Sequence, residues 1–184
     1  MKRLILILCL IVFSQANAQE KKSNNSDVPK DEKGISLTAP EGVYQYAFRI
    51  GEWDGISRSL ISRYEWKTDS SSGSHRVYLA DNGLTFIEEG IDDKGNITHK
   101  ITYDYIEATD SWENNYSDNT GEKVKYSSKV VDGNMVETIV REDSTNNNTY
   151  TVLADNIYIY TARRTFGNGY TIVNHVSIAT KKPN

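Results

Sequence analysis

The stretch Phe48-Arg49-Ile50-Gly51-Glu52-Trp53-Asp54-Gly55 decides the fold, because its Gly-x-Trp opens a long run of strand-like segments. From Glu41 to Lys182 the chain contains no proline. Proline removes a backbone donor from a sheet, so its absence over this length favours strands with neighbours on both sides. Tyr, Val, Ile and Thr are abundant in the same run and suit a pleated, half-buried surface. The stretch therefore predicts the start of an all-β domain.

Turn-forming pairs such as Asn82-Gly83 and Asp132-Gly133 divide this run into about ten or eleven strands. Asn-Gly and Asp-Gly are strong hairpin signals because both central residues of a type I′ turn need a positive φ. Residues 40–48 predict a short helical turn before the first strand. A meander of this length has two free edges unless it closes, and few connections are long enough for the crossovers of a two-sheet sandwich. We therefore expect an antiparallel up-and-down β-barrel of about ten strands.

The N-terminus has the layout of a secretory signal peptide. Lys2 and Arg3 precede an apolar run that ends at Phe13, and the small-x-small residues before Ala18 provide a cleavage site. The run is shorter than the roughly 20 apolar residues of a membrane-spanning helix. Cys9 lies inside the run rather than at the cleavage point, which disfavours a lipid anchor. We expect a bacterial protein that is exported to the periplasm or secreted.

The expected domain organisation follows from this signal. Residues 1–18 are the signal peptide, residues 19–40 are a polar leader predicted to be disordered, and residues 41–184 form the barrel. Cleavage removes the only cysteine and changes the formal net charge from −4 to −6, since Lys2 and Arg3 are lost. A mildly acidic chain of this kind is a poor candidate for nucleic acid or for anionic membrane surfaces. We predict neither partner, and no membrane insertion after cleavage.

Phe48-x-x-Gly51-x-Trp53, with basic residues in a late strand, resembles the opening of lipocalin-like (calycin) barrels. The Phe-x-x-Gly-Glu-Trp motif is similar to that of an exported bacterial domain family of unknown function with this barrel. The resemblance implies that Gly51 and Trp53 close one end of the barrel. It also implies that an arginine from a late strand, Arg163 or Arg164, packs over the indole ring.

Strand alternation places two histidines on the apolar face, which points inward in a barrel. His75 shares its face with Val77, and His99 shares its face with Ile101 and two tyrosines. An apolar cavity with a few polar groups is the usual composition of a small-molecule pocket. The candidate ligand-binding residues are His75, His99, Tyr103, Tyr105, Tyr64 and Trp66.

Catalytic signals are weak. No nucleophile or phosphate-binding motif is present, and the histidines lack the spacing of a metal site, so we assign no catalytic residue and no metal. Glu88 and Glu89 are adjacent on a strand, so at most one of them points inward. An inward carboxyl near His99 is expected to have a raised pKa and to serve as a general acid or base. It is the basis of an alternative function, an enzyme of the cyclase, isomerase or hydratase type.

The last strand, which includes Asn174-His175-Val176, resembles that of nitrobindin-type haem barrels, where a histidine is the axial ligand. Here Ile172, Val176 and Ile178 define the apolar face, so His175 is predicted to point outward unless a β-bulge re-aims it. Haem binding through His175 is therefore kept as an alternative, and no cofactor is otherwise expected.

The sequence as a whole predicts an exported barrel that binds a small, mainly apolar molecule. The remaining alternative is an interaction module whose barrel is filled with side chains and binds no ligand.

Overall fold

The computed structural model describes residues 28–69 and 73–183. A 3₁₀ helix, Glu41–Arg49, precedes the strands, and a short 3₁₀ turn, Glu107–Thr109, lies between the fifth and sixth. We call the first of these the plug helix. The strands are β1 (Gly51–Ser62), β2 (Glu65–Asp69), β3 (Ser74–Leu79), β4 (Phe86–Ile91), β5 (Ile97–Ile106), β6 (Ser111–Asp118), β7 (Lys123–Val131), β8 (Asn134–Val140), β9 (Ser144–Ala154), β10 (Ile157–Phe166) and β11 (Thr171–Lys181).

The sheet closes on itself. From β3 to β11 each strand pairs antiparallel with the next, and β11 pairs with β1 in a register that runs from Trp53–Lys181 to Ser59–His175. The other edge of β1 pairs first with β3 and then with β2, so β2 and β3 together act as one interrupted strand. The result is a ten-strand, up-and-down antiparallel barrel. The predicted all-β, lipocalin-like fold class is confirmed, and so is the helical turn before the first strand.

The plug helix closes one end of the barrel. A 3₁₀ helix has three residues per turn, so residues three apart lie in one row along its length. Val43, Tyr46 and Arg49 form such a row, and all three are buried. The Tyr46 ring packs 4.7 Å from Tyr103 and 4.8 Å from Trp112 between ring centroids. This single row ties the helix to the barrel core.

Trp53 joins the plug helix to β1. Its side chain is 1% exposed, and its Nε1 donates a hydrogen bond to the backbone oxygen of Arg49 at 2.7 Å. Lys181 supplies the cation over the indole, with its Nζ 5.8 Å from the ring centroid. Gly51 has a φ of +134°, and a Cβ there would meet the end of the Lys181 side chain. The glycine of the Gly-x-Trp pattern is therefore required mainly by this positive φ, which residues with a side chain rarely adopt.

The arginines predicted to cover Trp53 lie elsewhere. Arg163 pairs with Val173 on β11, whereas Trp53 pairs with Lys181. The two positions on β11 are eight residues apart, which at about 3.3 Å per residue separates them by roughly 26 Å. Arg164 donates a hydrogen bond to Asn146 at 3.1 Å. The assignment of Arg163 or Arg164 to the closed end is corrected to Lys181.

The ordered domain begins before residue 41. Ile35 is fully buried in the core, and the backbone N–H of Ser36 donates to the oxygen of Gly83 at 2.9 Å. The part of the predicted leader from residue 28 onward therefore packs on the barrel, because Ile35 supplies an apolar anchor. The signal peptide and residues 19–27 lie outside the described residues. In the part of the chain that the structure describes, no helix has the length and apolar character needed to cross a bilayer.

Candidate functional site

The barrel contains a cavity of about 720 Å³. Its floor is formed above the plug helix, where Arg49 lines it. At the opposite end the lining includes residues of the β4–β5, β6–β7 and β8–β9 turns, among them Asp93, Glu122 and Arg141, which are exposed. The cavity is therefore closed at the end that carries Trp53 and open at the other.

Inward-facing positions of the strands give the cavity an aromatic wall. Because side chains alternate along a strand, every second residue of each strand faces the cavity. The wall contains five tyrosines and all three histidines of the chain. They are Tyr116, Tyr126, Tyr150, Tyr158, Tyr160, His75, His99 and His175.

A buried ion pair lies at the floor. Arg49 is 1% exposed and its Nη2 lies 2.7 Å from a carboxylate oxygen of Glu88, which also accepts a hydrogen bond from the Tyr103 hydroxyl. Nη1 of Arg49 donates to the same hydroxyl at 2.9 Å. Burial favours a higher pKa for Glu88, but the Arg49 guanidinium acts together with the nearby histidines and the Tyr103 hydrogen bond, and their sum lowers that pKa to about 2. The expectation of a raised pKa is therefore wrong for Glu88.

Glu89, the neighbour of Glu88, points to the other side of the sheet. It accepts hydrogen bonds from Arg76 at 2.7 Å and from the Tyr78 hydroxyl at 3.0 Å. The prediction that only one of the two glutamates faces inward is confirmed.

A second buried carboxyl, Glu137 on β8, faces the floor. It is 2% exposed and accepts hydrogen bonds from Asn148 Nδ2 at 3.2 Å and from the Tyr150 hydroxyl at 3.0 Å. Burial raises the pKa of Glu137 to about 7, although Arg49 acts to lower it. The side-chain oxygen of Asn148 is buried and has no hydrogen-bond partner among the described residues. Nε of Arg49 is likewise buried without a partner among the described residues, so the floor has one unpaired N–H donor beside the unpaired oxygen of Asn148 and the remaining acceptor positions of Glu137.

Two histidines lie where strand alternation predicts them. His75 Nε2 is 2.6 Å from the Tyr158 hydroxyl, and burial lowers the pKa of His75 to about 4, so it is neutral at pH 7. The His99 ring stacks on Tyr116 with centroids 5.7 Å apart. It also lies directly over Gly90, where a Cβ would overlap the imidazole. Gly90 thus makes the space that His99 occupies.

His175 points into the cavity rather than outward, because the β-bulge that would re-aim it is present. Ala162 pairs with His175 but Arg163 pairs with Val173, so Asn174 is an extra residue at a β-bulge. Ile178 instead lies on the outside, where it is 50% exposed beside Ile56. The His175 ring lies 5.8 Å from Tyr160 between centroids.

The other predicted binding residues are not brought together. Tyr103 lies below the floor, and Tyr105 bonds Asp110 at 2.6 Å at the closed end. Tyr64 is 84% exposed, and Trp66 packs with Arg58 away from the cavity lining. Within residues 28–69 and 73–183, no three His, Asp or Glu side chains are grouped closely enough to hold a metal ion.

The sequence reasoning missed Arg49, Glu137 and Asn148. A signal for Glu137 was present, because it alternates with Met135 and Ile139 on a strand whose inward face is otherwise apolar. A charged residue at such a position is buried once the sheet closes.

No protein-family model matches the chain, and no curated protein matches it. Solved structures that it resembles include Rv2717c from M. tuberculosis, with 9% identity over 79% of this chain and 99% of that one and a TM-score of 0.48. Another is the S-type phycobiliprotein lyase CPES from Guillardia theta, with 8% identity over 76% of this chain and 91% of that one and a TM-score of 0.34. Both likenesses concern overall shape, and the barrel is defined by the strand pairing of this chain itself.

Proposed function

We propose that the protein is an exported calycin-like barrel that binds a small molecule in its cavity. The observation that supports this is the cavity of about 720 Å³, a volume within the roughly 300–1,000 Å³ typical of ligand pockets. The tyrosine-rich wall suits a ligand with a mainly apolar or aromatic body, and the buried polar floor suits one polar group. A cavity of this size favours ligand binding over an interaction module with a filled barrel.

Export is supported by the signal-like N-terminus. N-terminal sequencing of the protein recovered from its host is expected to begin at Gln19. A chain that retains its apolar N-terminus in the cytoplasm would contradict export without affecting the binding proposal.

A neutral fluorescent probe, N-phenyl-1-naphthylamine, tests the cavity directly. We expect saturable binding with a rise in fluorescence. Ser177 lines the cavity, so Ser177→Phe should fill part of it and weaken binding by about tenfold or more. Thr180 lies on the same strand and is exposed, so Thr180→Phe is the matched control and should leave binding unchanged. No binding by the wild type, or equal binding by both variants, would contradict the proposal.

Haem is a second candidate, and the inward direction of His175 is the observation that favours it. His175 Nδ1 lies 2.8 Å from the Ser59 hydroxyl, so Nε2 is the atom that would hold the iron. A bound haem would supply ligation or redox chemistry at that iron. The rim, however, carries Asp92, Asp93 and Glu122, which disfavour the haem propionates. Haemin titration should give a Soret shift that His175→Ala abolishes, and no shift in the wild type would remove this candidate.

A further inference from the structure

We propose that the ligand is a small organic cation, an ammonium group on an aromatic or apolar body. Its N–H donors bind between the carboxylate of Glu137 and the side-chain oxygen of Asn148. This inference rests on the proposed binding function and names the chemical class of its ligand.

The first argument is the excess of acceptors at the floor. An ionised carboxylate has about four acceptor positions, and Glu137 receives one N–H from Asn148 and one O–H from Tyr150. While Asn148 turns its amide N–H toward this carboxylate, its oxygen lacks a partner. Buried acceptors are costly to leave unpaired, so a ligand that brings several N–H donors gains most at this position.

The second argument is charge. The cation nearest the floor, Arg49, is committed to Glu88 at 2.7 Å, and its guanidinium lies 4.4 Å from the centroid of the Tyr150 ring. No ion pair among the described residues includes Glu137. The cavity and its rim carry six carboxyl side chains and two arginines, and His75 is neutral at pH 7. The cavity therefore attracts a cation and repels an anion.

The third argument is the ring surface next to Glu137. Tyr126 and Tyr160 line the cavity, and each has a phenol whose pKa is raised by burial and also by the charge of Glu137. Tyrosine faces attract cations, and the attraction grows when water is excluded. The same rings offer stacking surface to an aromatic body. The wall and the floor thus select the same type of ligand.

Cation binding should release a proton. The ligand's charge favours the ionised form of Glu137, whose pKa of about 7 leaves it partly protonated at neutral pH. Affinity for an ammonium ligand is therefore expected to rise between about pH 6 and pH 8. The titratable and charged groups that interact with Glu137 are Arg49, Glu88, Tyr46, Tyr126, Tyr150, Tyr158 and Tyr160.

Three matched probes test the inference: 2-phenylethylamine, 2-phenylethanol and 3-phenylpropionate, each competing with N-phenyl-1-naphthylamine. We expect the amine to bind at least about tenfold more tightly than the alcohol, and the carboxylate to bind most weakly. Glu137→Gln should weaken the amine about tenfold and the alcohol less than about threefold. The control Glu113→Gln changes an exposed glutamate of β6 and should affect neither.

Calorimetry of the wild-type protein gives a readout that needs no variant. Amine binding near pH 7, compared in two buffers of different ionisation enthalpy, should show proton release, and alcohol binding should not. An amine no tighter than the alcohol, an unchanged amine affinity in Glu137→Gln, or no proton release would overturn the inference while naphthylamine binding stands. Failure of the naphthylamine itself to bind would overturn the proposed function as well.

Discussion

At the residue scale, Arg49 connects the opening motif to the cavity. Its backbone oxygen accepts the Trp53 indole N–H, and its side chain pairs with Glu88 across the barrel floor. The pair is buried on both sides, with side chains 1% and 9% exposed. A buried pair gains little over apolar packing, but losing one partner leaves an uncompensated charge in the interior. The floor therefore depends on both charges being present together.

We predict that Arg49→Met lowers the free energy of unfolding by about 3–5 kcal/mol. Urea denaturation followed by tryptophan fluorescence measures this loss. Adding Glu88→Gln should recover part of it, because the unpaired charge of the Glu88 carboxylate is then removed. Lys125→Met is the control, since Lys125 and Glu113 form an exposed pair at 3.4 Å worth about 0–1 kcal/mol. Equal losses of unfolding free energy in Arg49→Met and Lys125→Met would show that an unpaired buried charge at Glu88 does not destabilise the fold.

At the element scale, the pairing of β4 with β5 shapes the wall of the cavity. Gly90 on β4 stands opposite His99 on β5, and the imidazole lies across the glycine. A side chain at residue 90 would compete with the ring for the same volume. The position of His99 in the cavity therefore depends on the missing Cβ of its neighbour.

Gly90→Ala should destabilise the fold by about 1–3 kcal/mol, the usual cost of overpacking a close contact. In the His99→Ala background the same substitution should cost clearly less, because the ring that it meets is gone. Denaturant unfolding of the four proteins gives the coupling between the two sites. A Gly90→Ala cost that is identical in both backgrounds would mean that the backbone, not His99, requires the glycine.

Strand alternation accounts for what the sequence could predict. It placed His75 and His99 correctly because β3 pairs with β4 without a register shift and β5 does so from His99 onward, beyond the extra residue Thr98. It misplaced His175, because the bulge at Asn174 reverses the face of part of β11. Arg49 and Glu137 could not be paired with their partners, since these contacts depend on closure and register. Glu88, for example, lies 39 residues from Arg49 in the chain.

At the scale of the whole molecule, the closed barrel holds ionisable groups with opposite pH responses. Burial lowers the pKa of His75 from 6.5 to about 4, so folding loses stability as the pH falls through that window. Burial raises the pKa of Glu137 from 4.5 to about 7, so folding loses stability as the pH rises through that window. Between about pH 4.5 and pH 6.5 the two effects partly cancel. The pKa of Glu88 is lowered to about 2, so this group adds a further loss of stability only below about pH 4.5.

Removing one of these two groups should reveal how the other changes stability with pH. Relative to wild type, Glu137→Gln should gain up to about 3 kcal/mol of unfolding free energy as the pH is raised from 4.5 to 7, because each pKa unit is worth about 1.4 kcal/mol. His75→Gln should gain a similar amount as the pH is lowered from 6.5 to 4. Urea midpoints measured across this range test both, with Glu113→Gln as a control that should run parallel to wild type. If the Glu137→Gln curve also runs parallel, the carboxyl does not titrate in the folded barrel as its burial requires.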